Sequence, residues 1–148
     1  MRAPRKLSAA IRLGLADLAK VERSDKYEVD MSTWYRARGS KCAVCFAGAV
    51  MAKTLNAVPL EDDDDSVAWR DRFGTAWEGV IFALDAARQG FVGCAMSDMN
   101  PKKPHEPFFK LGDEYLKQFG YPPAYDEDPA GFRKSMRQMA KWLEARGL

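Results

Sequence analysis

A chain of 148 residues, 47% hydrophobic and 30% charged, has the length and composition of one globular domain able to bury a core of its own. Its formal net charge of +2 is too small to mark a binder of nucleic acid or anionic membrane, and no apolar run approaches the roughly 20 residues of a membrane span. Three cysteines, an odd number in a chain too large to need them as a scaffold, point to free thiols in a reducing cytoplasm.

The first periodic segment, 7–21, carries Ile11, Leu15 and Leu18 at helical spacing, with Ala10 and Val21 extending the stripe. Arg12, Asp17 and Lys20 interrupt it, so it is no signal-peptide core. Tyr27, Val29 and Met31 then alternate with Glu28, Asp30 and Ser32, and Thr33, Trp34 and Tyr35 follow. A period of two predicts a short, half-buried strand over 27–35. One strand needs a partner, and 90–96 is the other plausible stretch. Residues 36–39 read as a polar loop.

The stretch 39–55 is the most apolar in the chain. Ser40 is a candidate N-cap, and Ala43, Ala47, Ala49 and Ala52 favour helix. Gly48 opposes it, and a glycine inside a helix points to another element packed close. The run is apolar on nearly every side, which predicts a buried central helix. After it come Pro59 and five consecutive acids at 61–65, then Ser66 as the cap of a helix over 67–89. Phe73, Trp77, Val80, Ile81 and Leu84 give that helix its core face, and Gly90 ends it. Pro101, Pro104 and Pro107 make 99–107 a loop. A short helix over 113–119 stops at Gly120. Pro129 opens the last helix, to about residue 146, with Phe132, Met136, Met139 and Leu143 as its core stripe. The expected fold is mainly α: a single domain of about five helices around a buried central helix, with at most a small two-stranded β element.

Cys42 and Cys45 form a C-x-x-C with four readings. They are small hydrophobes on an apolar helix, a nucleophile, a redox pair, or half of a zinc site completed by Cys94 and His105. The redox reading wants a preceding buried strand in a βαβ unit, which the pattern does not supply. The zinc reading has an acceptable donor set of three sulfurs and one nitrogen, but its second half is loosely spaced. The expectation is packing, with no cofactor. The acids at 61–65 lack the ligand spacing and glycine of an EF-hand loop. They read as a solvated connector or as an acidic finger for a basic partner. Arg133, Lys134, Arg137 and Lys141 make a basic face on the last helix; no aromatic interleaves them in sequence, so nucleic acid is not expected there. Trp34, Tyr35, Tyr121 and Tyr125 fall in or beside loops, as core lids or interface anchors.

The run Gly-Ser-Lys-Cys-Ala-Val-Cys-Phe-Ala, 39–47, resembles the local signature of papain-like cysteine proteases, where an aromatic follows a cysteine that opens a helix. The resemblance implies Cys45 as a thiolate nucleophile and a base far downstream. The only histidine, His105, lies nearer than that and the chain is too short for that fold, so Cys45 and His105 are the pair only if the chain is an enzyme. It departs from that signature at Val44, where a small residue is usual, and at Phe46, where Trp is usual. Tyr-x-Val-Asp-Met (27–31) followed by Cys-x-Val-Cys-x-Ala-Gly-Ala-Val-Met-Ala (42–52) resembles small proteins encoded by tailed bacteriophages. That resemblance implies a host bacterial cytoplasm and action on a host or phage macromolecule, and no chemistry. The expected function is a non-catalytic binding protein that acts on a host macromolecule, a protein above all, as inhibitor or accessory factor. Its contact residues would be Asp62, Asp63, Asp64 and Asp65 with Tyr121 and Tyr125. The alternatives are a small cysteine-dependent hydrolase or redox enzyme using Cys45 and a small zinc-binding protein.

Overall fold

The computed structural model describes residues 1–60, 66–90 and 106–148. Helix α1 (Leu7–Glu22) buries Ala10, Ile11, Leu18 and Val21, the face its spacing predicts, while Leu15 is half-buried. Three strands follow: β1 (Tyr27–Val29), β2 (Tyr35–Arg38) and β3 (Lys41–Val44). They form one sheet in the order β1-β3-β2, with β1 parallel and β2 antiparallel to the central β3.

This sheet corrects two expectations. The β element has three strands, not two, because the stretch read as a polar loop is β2. Arg36, Ala37 and Arg38 are all exposed, so β2 shows no alternation to read. Gly39 and Ser40 are the two-residue hairpin turn between Arg38 and Lys41, with Gly39 at φ +62° in the first turn position. The second correction concerns the helix expected from Ser40 onward: 41–44 is strand. β3 is paired on both sides and buries Ala43 and Val44, and a short apolar run in a buried strand has the same signature as a buried helix. Helix α2 is therefore short, Phe46–Lys53, and its N-cap is Cys45, not Ser40. Every residue from Phe46 to Ala52 is buried. α2 packs against α1, α4, β2 and β3.

β1 and β2 lie on opposite sides of β3, so the connection 30–34 must arch over the C-terminal end of β3. The arch is pinned on both sides. The Asp30 amide donates to the Val44 carbonyl at 2.8 Å, and the Cys45 amide donates to the Trp34 carbonyl at 3.1 Å. The Asp30 carboxylate accepts from the Ser32 hydroxyl (2.6 Å) and amide (2.9 Å), and from Arg38 of β2 (2.7 Å). These bonds, those from Ser32 foremost, hold its carboxyl below the usual carboxylate range. Gly48 of α2 meets the arch directly: a Cβ there would lie 1.5 Å from the Trp34 carbonyl oxygen. Close packing, the reason expected for a glycine inside this helix, is what the backbone shows.

The helix expected over 67–89 is two, α3 (Ser66–Phe73) and α4 (Thr75–Arg88), broken at Gly74, whose φ of +85° is strained for other residues. α4 buries Trp77, Val80, Ile81, Leu84 and Ala87. α5 (Glu106–Phe119) is longer than the 113–119 expected, because Pro107 sits in its first turn, where a missing N–H costs nothing. α6 (Pro129–Ala145) starts at Asp128, whose carboxylate accepts from the Gly131 amide at 2.9 Å. Its stripe of Phe132, Met136, Met139 and Leu143 is buried as expected. The buried apolar side chains of α1, β2, β3, α2, α4, α5 and α6 belong to one contiguous cluster. The described fold is thus mainly α, with six helices and one small sheet, and none of its helices is long and apolar enough to cross a membrane. The acids at 61–65, Cys94, His105 and the strand-like 91–96 lie outside the described residues.

Candidate functional site

The C-x-x-C straddles a strand-to-helix junction. Cys42 is half-buried in β3, paired with Tyr27 of β1 and Ala37 of β2. Cys45 is 1% exposed and stands at the N-cap of α2, where its sulfur accepts from the Gly48 amide at 3.3 Å. Burial pushes the Cys45 thiol up to about 12, and the Asp85 carboxylate pushes the same way. The Gly48 and Ala47 amides and Arg88 pull it down by less. Burial thus favours the protonated thiol at neutral pH, and the sulfur closes the first turn of α2. Of the zinc set, Cys94 and His105 are outside the described residues. Among the described residues no group of three or more His, Cys, Asp or Glu side chains is placed to hold a metal ion.

The loop aromatics divide sharply. Tyr35 is buried, and Trp34 packs edge-on against Phe82 with centroids 6.1 Å apart. Tyr125 is half-buried, sets its ring edge-on to Phe132 and donates its hydroxyl to Glu22 at 2.6 Å. Burial, then the Glu22 carboxylate, raises the Tyr125 hydroxyl well above its ordinary value. Glu22 also pairs with Arg133. Tyr125 thus ties the 121–128 loop to α1, whereas Tyr121 is 72% exposed. Asp62, Asp63, Asp64 and Asp65 lie outside the described residues.

One open feature was singled out from sequence only in its basic half. Phe119 at the end of α5 and Lys134, Arg137, Gln138, Lys141 and Trp142 of α6 line a shallow groove of about 570 Å³. Its aromatic floor is fixed from behind. Tyr115, fully buried, meets Trp142 edge-on at 5.4 Å and Phe119 at 4.9 Å. The Trp142 indole N–H donates to Gln118 at 3.2 Å. The Arg146 guanidinium lies over the Trp142 ring, 4.0 Å from its centroid, and pairs with Glu114 at 3.0 Å. Arg133 is engaged by Glu22, but Lys134, Arg137 and Lys141 have no ion-pair partner among the described residues. Glu144, on the same helix, is taken by Arg12 at 2.6 Å. The basic face thus does have aromatics against it, one of them from another helix. A signal was present in sequence: Lys134, Gln138 and Trp142 follow one another at i+4 along α6.

The chain matches no protein-family model, no curated protein and no solved structure.

Proposed function

We propose that this chain is a non-catalytic binding protein that takes up a partner protein in the groove between α5 and α6. The observation that carries this reading is the groove itself, an exposed aromatic floor flanked by three cations without ion-pair partners among the described residues. Apolar surface rimmed by polar groups is the usual mark of an interaction site, and aromatic and Arg side chains commonly hold most of an interface's energy. Phe119 of the groove is 38% exposed, and Tyr121, two residues on in the chain, is exposed as well. The partner is a host protein in a bacterial cytoplasm, bound by an inhibitor or accessory factor. That part rests on the likeness of 27–31 and 42–52 to small tailed-phage proteins. The acids at 62–65 are a candidate second contact for a basic patch on the same partner.

One observation favours a second reading, a cysteine-dependent hydrolase or redox enzyme: Cys45 opens a buried helix, as the papain-like nucleophile does. The raised thiol weighs against it. The two readings part in an affinity capture from bacterial lysate with the wild type, Cys45→Ala and Phe119→Ala/Tyr121→Ala as baits. The binding reading expects a protein captured by the wild type and Cys45→Ala and lost by the double variant. Capture that ignores the groove, or that needs the Cys45 sulfur, overturns it.

A further inference from the structure

We infer that the groove between α5 and α6 takes an acidic peptide segment that carries an apolar anchor, an inference that rests on the binding reading above. The charge around the groove is one-sided. Three carboxylates around α6 are engaged: Glu144 by Arg12, though it also feels Lys141, Glu114 by Arg146 and Glu22 by Arg133. Lys134, Arg137 and Lys141 line the groove with no ion-pair partner within 4 Å among the described residues. The outer two lie seven residues apart on α6, about 10 Å along the helix axis. Some three residues of an extended chain, or two turns of a helix, cover that length, so a short acidic cluster suffices to meet all three. Arg137 offers a planar fork to a carboxylate, and the lysines offer point charges. The aliphatic stems of Lys134 and Lys141 can lie along the walls while their heads stay in water. An aromatic or aliphatic side chain of the partner then rests on Phe119 and the open part of Trp142, with its acids at the rim.

The same charges could attract a nucleic-acid strand, but the aromatic geometry favours the peptide. Single-strand binders stack bases on open ring faces along a basic track. Here one face of Trp142 lies under Arg146, the ring makes a T-shaped contact with Tyr115, and its N–H is given to Gln118. The cations end after two helical turns.

Fluorescence anisotropy with the full chain and four labelled probes tests this. The probes are a ten-residue peptide of glutamates with one phenylalanine and one leucine, the same peptide with glutamines, an all-glutamate peptide, and a ten-nucleotide oligothymidylate. The first probe should bind tightest. Its affinity should fall about tenfold or more in Lys134→Glu/Arg137→Glu/Lys141→Glu, and as much when its glutamates become glutamines. Removal of its anchors should weaken it several-fold, since aromatic anchors commonly dominate an interface. Unchanged melting of the triple variant shows that the loss is local. An oligothymidylate that binds more tightly than the first peptide, or peptide binding indifferent to charge reversal, overturns the acidic-peptide assignment. The lysate capture separates the two levels. A partner lost by Phe119→Ala/Tyr121→Ala but kept by the charge-reversal variant leaves the binding protein standing and removes the acidic ligand. The absence of any groove-dependent partner removes the binding reading itself.

Discussion

At the Cys45 sulfur two effects oppose each other. The N-terminus of α2 favours a thiolate, and complete burial favours the thiol; burial is the larger and sets the thiol at about 12. Unfolded, the same group ionises near 8.5. Between those values the folded chain keeps a proton that the unfolded chain releases. The stabilisation from Cys45 is therefore fully present below about pH 8.5 and is lost as pH rises towards 12, by at most about 1.4 kcal/mol per pH unit. Tyr35, pushed up to about 12 by burial first, adds a loss of the same sign once pH passes about 10. Urea midpoints of Cys45→Ala should thus change less with pH between 9 and 10 than those of the parent. Equal slopes would mean the thiol is not buried as described. At neutral pH the same variant should lose about 1 kcal/mol with the cap on the Gly48 amide.

At the scale of elements, the arch over β3 and helix α2 fit together only without a side chain at Gly48. Gly48→Ala gains helix propensity but drives a Cβ into backbone, the Trp34 carbonyl oxygen, and should cost ~3 kcal/mol or more. Gly14→Ala meets only side-chain atoms, of Leu84 and Phe46 at 2.9 Å, which can shift, so its cost should be clearly smaller. Thermal melts of the two variants compare them directly, and equal losses would contradict the arch geometry. These elements also mark where sequence was legible. α6 could be read whole, because its cap, its opening proline and its stripe from Phe132 to Leu143 agree with one another. β2 could not, since its Arg36, Ala37 and Arg38 are all exposed and carry no alternation. β3 and α2 form one apolar run that changes structure at Cys45, and periodicity has nothing to mark the change. The break at Gly74 looks in sequence like a tolerated helical glycine. The groove was half legible: its basic residues lie in one helix, while Phe119 comes from another, which Tyr115, Gln118 and Glu114 tie to the Trp142–Arg146 end of α6.

At the scale of the molecule, Arg133, Glu144 and Arg146 are ion-paired, and the small net charge conceals a local excess at Lys134, Arg137 and Lys141. Exposed charges of this kind are screened over about 10 Å at 0.1 M salt. Partner affinity should therefore weaken as salt is raised, and that dependence should largely vanish in Lys134→Glu/Arg137→Glu/Lys141→Glu. A wild-type affinity flat across 0.05 to 0.5 M salt, roughly a threefold range of screening length, would contradict an electrostatic rim. On the reading proposed above, the groove and not the thiol carries partner binding. Titration calorimetry of the captured partner against the wild type, Cys45→Ala and Phe119→Ala/Tyr121→Ala tests it most directly. Cys45→Ala should bind within about twofold of the wild type, while the loss of two exposed aromatics should cost about 2 kcal/mol or more. Full binding by the aromatic variant together with none by a folded Cys45→Ala would contradict it.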